Sequence, residues 1–217
     1  MIIGFAGKAA SGKTTAARCM AEHLPGEVRI IPMAQVLRDE VDAFLRATGA
    51  ESHVPLLYGC QEDKVRIFHV DATRARAACP QWSHFLSEHA DIQDRQGQTA
   101  VTVRRILQWW GTEYRRAQDH DYWTKAWGRR VEQLDLEKMH VLVDDVRFMN
   151  ELHVIKEHGG LIVKIERPGF DGANNHASET SLDEYHDWDR VLLNDGTLDG
   201  FKEQVEPLAD LLVAPAG

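Results

Sequence analysis

The sequence predicts an α/β protein, a parallel sheet flanked by helices, and three observations predict it. Apolar runs alternate with amphipathic stretches along the chain, and strands separated by helices favour a parallel sheet covered on both faces. The first apolar run ends in a glycine-rich turn, G-K-A-A-S-G-K-T from Gly7 to Thr14, which opens directly into a helical pattern. A later apolar run, HVLVDDVRF, ends in the two aspartates Asp144 and Asp145.

The elements follow in order. Met1 to Phe5 reads as a buried strand, and KTTAARCMAEHL places Ala17, Met20, Ala21 and Leu24 on one helical face before Pro25-Gly26 stops it. VRIIP is a second strand, and AQVLRDEVDAFLRATG an amphipathic helix closed by Gly49. Residues 50–100 are expected as a partly helical insertion, with QWSHFLSEHA helical and DIQDRQGQTA a loop. VTVRRILQWWGTEYRRAQ and DYWTKAWGRRVEQL then read as two helices. After the HVLVDDVRF strand come a helix in NELHVIKEHGG, a strand in LIVKIERPG, a short strand in RVLLNDG and a closing helix from about Leu198. The expected organisation is one domain over 1–217, with core 1–49 and 101–217.

With 43% hydrophobic and 27% charged residues, the chain has the composition of a globular protein large enough to bury a core without disulfides. Cys19, Cys60 and Cys79 form no C-x-x-C pair, and no apolar run reaches the ~18 residues of a membrane span. A cytoplasmic protein with free thiols, and no membrane partner, is the expectation. The net charge of −9 opposes stable nucleic-acid binding, which rests on many Lys and Arg meeting phosphates.

Gly7 to Thr14 satisfies G-x-x-x-x-G-K-[ST], and it has the strand before and the helix after that this motif requires. Glycines let the backbone amides turn inward onto phosphate oxygens, and the helix dipole adds to the attraction. Ala10, Ser11, Gly12, Lys13, Thr14 and Thr15 are therefore expected to hold ATP, with Lys13 on the β- and γ-phosphates and the Thr14 hydroxyl on Mg²⁺. Asp144 or Asp145 would orient the metal, its waters or an acceptor hydroxyl; alternation along the strand turns them to opposite sides.

From Arg104 to Arg130, seven basic residues stand against three acidic ones, together with Trp109, Trp110, Trp123 and Trp127. Arginine forks suit phosphate and an indole face suits a base, although tryptophans at helical spacing more often belong to a core. The eleven histidines give no metal motif. Cys79, His84 and His89 are five apart and do not share a helix face, and H-E-x-x-H is missing.

VRRILQWWGTEYRRAQDHDYWTKAW, DDVRFMNE, GGLIVKIERPG, HASE and LLNDGTLDGF occur in this order after the phosphate loop. Together they resemble the deoxynucleoside monophosphate kinases of tailed bacteriophages, over the first fifty residues or so and nearly everything after Val101. The resemblance implies a P-loop nucleoside-monophosphate-kinase fold and transfer of the γ-phosphoryl of ATP to a deoxynucleoside monophosphate (dNMP), with Mg²⁺. It implies that Arg105 grips the acceptor phosphate and that Gly111, Thr112 and Trp123 form the acceptor pocket. Asp145, Arg147 and Glu151 would line the same side, with Arg38 and Lys64 as further phosphate contacts. It also implies a lid over about 167–189, carrying Arg167 and His176, a loop around the adenine including Asn194 and Gly196, and a homodimer. Lys8 stands one position from a substrate-contacting lysine of that family, whose matching site holds Ala9.

The expected chemistry is charge neutralisation by Lys13, Arg105 and Arg167, with Asp145 orienting a group or the metal shell. Two other readings stay open: a P-loop kinase acting on a hydroxyl of a modified base in DNA, and a P-loop ATPase or switch coupled to a partner.

Overall fold

The computed structural model describes residues 1–89, 94–169 and 180–213. Its chain divides into two compact units, 1–33 with 124–217, and Ala34–Trp123. The expected insertion at 50–100 lies wholly within the second unit, which starts earlier and ends later than the insertion.

The first unit is built on strands β1 (Ile2–Ala6), β2 (Glu27–Ile30), β6 (Met139–Val146), β7 (Leu161–Glu166) and β8 (Arg190–Leu193). They form one sheet in the order β2-β6-β1-β7-β8, every neighbouring pair parallel. All five residues of β1 are buried, as a central strand covered on both faces demands. Helices α1 (Lys13–His23), α7 (Tyr122–Val131), α8 (Met149–Glu157) and α9 (Leu198–Val213) are the remaining long elements of this half. One side of the sheet packs Ile3, Phe5 and Leu142 against Ala16, Met20, Phe201 and Val205. The other packs Ile2, Val141 and Val143 with Trp127, Leu152 and Ile155. Because the strands are parallel, the loops after β1, β6 and β7 leave from one edge, the usual place for a ligand in such a sheet.

The second unit contains α2 (Gln35–Ala47), a 3₁₀ turn at Glu51–Leu57, α3 (Gln61–Lys64), α4 (Ala72–Ala78), α5 (Trp82–Glu88) and α6 (Val103–Trp109). Its antiparallel sheet has the order β3-β5-β4, from β3 (Ile67–Asp71), β4 (Asp94–Arg95) and β5 (Gln98–Thr102). The stretch expected as a loop is thus a hairpin. Gln96 and Gly97 both take positive φ, 51° and 77°, the two-residue turn that suits strand twist. Strand β5 also displaces the expected start of the next helix, which begins at Val103 with the Thr102 hydroxyl accepting from the Arg105 amide at 3.3 Å.

The helix after α6 widens into a π-helix over Trp110–Arg116. In an α-helix, residues five apart diverge by about 140°; the wider π turn reduces that divergence. Trp110 Nε1 and Arg115 Nε consequently both donate to Glu40 Oε2, each at 2.8 Å, and the Tyr122 hydroxyl donates to Glu40 Oε1. Around this hub lies a core of Phe44, Leu57, Phe68, Trp82, Phe85, Trp109 and Trp123.

Candidate active site

The turn after β1 is shaped by backbone conformations that glycine permits. Gly7 and Gly12 have φ of 143° and 111°, and Ala10 takes the left-handed region at 60°. A Cβ at Gly7 would stand 2.5 Å from the Ile165 carbonyl, and one at Gly12 would stand 2.8 Å from the Asn194 amide nitrogen. The amides of Lys13, Thr14 and Thr15 precede the first intrahelical bond of α1, from Ala16 N–H to the Gly12 carbonyl. They form the positive end of an eleven-residue helix.

The side chains fit a phosphate chain. Ser11 is 1% exposed, and its Oγ has no partner among the described residues, a cost that a bound anion would remove. Lys13, 7% exposed, turns back over the loop and donates to the Gly7 and Lys8 carbonyls at 2.6 Å each. The Thr14 hydroxyl donates to Asp144 Oδ2 at 2.8 Å. A hydroxyl beside a carboxylate is the oxygen donor set that Mg²⁺ takes.

Two further residues hold the loop from outside. Arg167 Nη1 donates to the Ala10 carbonyl at 3.0 Å. Asn194 donates through Nδ2 to the Ser11 carbonyl at 2.8 Å and through its backbone to the Glu166 carbonyl at 2.7 Å. Gly196 is exposed with open space around it.

Beside this loop lies a cavity of about 370 Å³ lined by Gly7, Lys8, Ser11, Arg147, Lys164, Glu166, Arg167, Asp183 and Trp188, among others. Lys164 sits over the Trp188 ring at 5.4 Å and pairs with Glu166 at 2.6 Å. Lys8 lies 3.8 Å from Asp183. The indole Nε1 of Trp188 is buried without a partner among the described residues. Four cations against two carboxylates leave a net positive field around the cavity, which favours an anionic ligand.

Alternation along β6 separates the two aspartates as expected, and it settles their surroundings. Asp144 meets Thr14, whereas Asp145 Oδ1 accepts from the Met33 amide at 2.7 Å. Of the two aspartates left open by the sequence, the one beside the Thr14 hydroxyl is therefore Asp144, and Asp145 is turned to the Met33 amide. Glu151 needs correcting. It is 5% exposed, and its Oε2 accepts from the Arg147 and Phe148 amides at 2.8 and 3.1 Å, capping α8. It holds the backbone of Arg147, whose side chain lines the cavity.

In the second unit, burial pushes the Lys64 ammonium below its ordinary value, and the nearby Arg38 and Arg104 push the same way. The three cations thus act on one electrostatic neighbourhood, which favours an anion. Two of them were expected; the third is Arg104, while the expected Arg105 lies half-buried one position on. Arg38 also stands 6.0 Å over the Tyr58 ring.

Of the expected pocket of Gly111, Thr112 and Trp123, only Thr112 is exposed. Trp123 donates its indole N–H to the Gly111 carbonyl at 2.9 Å, and a Cβ at Gly111 would stand 3.2 Å from Leu37. Both are core residues, which corrects their placement in a pocket. Trp109, Trp110 and Trp127 are at most 4% exposed, so the indoles of this segment offer no stacking face. Residues 170–179 of the expected lid, including His176, lie outside the described residues. Trp188, Lys164 and Glu40 carried no sequence signal, since each acts through a partner distant in the chain.

A protein-family model described as deoxynucleotide monophosphate kinase matches residues 56–205. A relative from Acanthamoeba polyphaga mimivirus, named provisionally as a deoxynucleotide monophosphate kinase, is 41% identical over 70 residues, 32% of this chain and 36% of the relative. The chain thus matches about a third of that relative's length. Among solved structures, an unliganded sugar kinase from Janibacter sp. HTCC2649 aligns over 99% of this chain and 95% of its own with 14% identity and a TM-score of 0.38, too low to bear on fold or function. No helix among the described residues is long and apolar enough to cross a membrane. By the family match over 56–205, the chain belongs to the deoxynucleotide monophosphate kinase family.

Proposed function

We propose that this protein transfers the γ-phosphoryl group of ATP to deoxynucleoside 5′-monophosphates, giving dNDP and ADP. The observation that carries the reading is the loop from Gly7 to Thr14, with its orphaned Ser11 hydroxyl, inward Lys13 and Asp144 set against Thr14. Family membership supplies the acceptor class.

On this reading the amides after Gly12 and the Ser11 hydroxyl bind the triphosphate. Lys13 exchanges its two carbonyl partners for phosphate oxygens and follows the transferring group. Mg²⁺, when bound, neutralises β- and γ-phosphate charge, and Thr14 and Asp144 are the residues that would hold it. Arg38, Lys64 and Arg104 take the acceptor's phosphate. The acceptor is already an ionised oxyanion, so no general base is required, and the engagement of Asp145 with Met33 is no obstacle. Arg147, Lys164 and Arg167 add positive charge beside the loop, where it stabilises the transition state more than in water. The burial of the four tryptophans counts against a nucleic-acid strand as acceptor.

A coupled assay with purified protein, ATP and each dNMP, NMP and DNA separates the readings. ADP and dNDP formed in equal amounts from a free dNMP is the expected result. ATP hydrolysis that no dNMP stimulates, or label transferred only to DNA, overturns the proposal.

A further inference from the structure

Away from the phosphate loop, at the other end of α1, three metal-binding side chains converge. Cys19 and His23 are four apart on α1 and so share a face, and Glu206 reaches them from α9. One ligand atom from each lies within 4.8 Å of the other two.

The orientation of His23 suits a metal ligand. Its Nδ1 lies 2.8 Å from the Cys19 carbonyl; a carbonyl only accepts, so Nδ1 carries the proton. That contact leaves Nε2 turned toward Glu206 Oε1, 3.5 Å away. A backbone carbonyl that fixes the ring of a ligating histidine is also the usual arrangement around a bound metal. Zinc bonds to nitrogen and oxygen near 2.0–2.1 Å in tetrahedral geometry would separate those ligand atoms by roughly 3.4 Å, close to the distance present. The sulfur, on a residue 4% exposed, supplies the soft donor.

We propose that Cys19, His23 and Glu206 form a binding site for a thiophilic divalent cation, Zn²⁺ by donor set, with water as the fourth ligand. Thiolate, imidazole and carboxylate together favour zinc over Mg²⁺ or Ca²⁺. On binding, the S–H bond of Cys19 is exchanged for a metal–sulfur bond and the proton leaves to solvent. The ion ties α9 to the helix that carries the phosphate loop. The site is independent of the proposed kinase chemistry, since none of its three residues belongs to the phosphate loop or cavity.

The test uses the full chain, stripped with a chelator and titrated with Co²⁺ as the spectroscopic probe for Zn²⁺. A thiolate-to-cobalt charge-transfer band and the intense visible bands of a four-coordinate ion are expected, with displacement by Zn²⁺. Cys19→Ser abolishes the charge-transfer band and Cys60→Ser leaves it intact. Glu206→Ala and His23→Ala, both at exposed positions, each weaken binding about tenfold or more. These two surface variants keep the test valid if Cys19→Ser does not fold. The phosphoryl-transfer rate of Glu206→Ala stays at the wild-type level. No band with cobalt in excess would mean that His23 and Glu206 form an ordinary imidazolium–carboxylate pair, and the site is refuted. A band that survives Cys19→Ser, or cobalt affinity unchanged in both surface variants, refutes it as well.

Discussion

Asp144 and Asp145 are adjacent in the chain and do different work, and single substitutions separate them. Asp144→Asn should lower kcat about 100-fold or more and raise the Mg²⁺ needed for saturation, because the carboxylate beside Thr14 is lost. Asp145→Ala instead leaves the amide of buried Met33 without its acceptor. Its effect belongs in the urea midpoint, a loss of about 1–3 kcal/mol. Strand alternation foretold that the pair would diverge, but which one faces the loop depends on β6 pairing with β1, and no local pattern encodes that register. The same holds for the acceptor arginine. Arg104 shares the field of Arg38 and Lys64, so Arg104→Ala should raise KM for dNMP by about 10- to 100-fold with KM for ATP unchanged. Arg105→Ala should do less; the reverse order in steady-state kinetics would return the role to Arg105.

The π-helix at Trp110–Arg116 sets the stakes for Glu40 at the level of elements. One carboxylate receives an indole N–H, a guanidinium and a phenol. Burial and the Glu40 contact together push the Tyr122 hydroxyl above its ordinary value. Glu40→Ala strands all three donors and should cost about 3 kcal/mol, measured by chemical denaturation; Glu40→Gln, which keeps an acceptor, should cost less. The sequence signalled the helices on either side through their periodicity, yet a widened turn has no compositional mark. Only the meeting of Trp110 and Arg115 on Glu40, seventy residues earlier in the chain, reveals its use. The hairpin at Gln96-Gly97 was similarly hidden, because its short strands alternate too briefly to register as a pattern. The parallel strands were legible because burial on both faces writes them as unbroken apolar runs.

Two units with separate cores give the whole molecule separable responses to its ligands. ATP with Mg²⁺ should slow amide exchange at residues 7–16, and dNMP should slow it around Arg38, Lys64 and Arg104, each without the other. Exchange monitored by mass spectrometry checks this, and protection of both regions by either ligand alone would contradict the division of labour. A pH dependence follows from His140, whose ring is held below its ordinary 6.5 by burial first and by the N-terminal ammonium second. The native state therefore prefers the neutral ring, while the unfolded chain takes up a proton near the ordinary value. This contribution to stability is present above pH 6.5 and is lost as pH falls through the folded-state value. Denaturation curves at several pH values should show that decline in the wild type and a shallower one in His140→Phe.

The order of strands in the parallel sheet has a consequence for how the chain is made. β1 leaves the ribosome long before the strands on either side of it in the sheet, β6, which starts at Met139, and β7, which starts at Leu161. Five apolar residues and the loop they anchor must wait, unpaired, while the whole of Ala34–Trp123 is synthesised. During that interval the nascent chain carries an adhesive strand that only its own later half can cover. Translation arrested before residue 139 would leave the phosphate loop with no sheet to hold it.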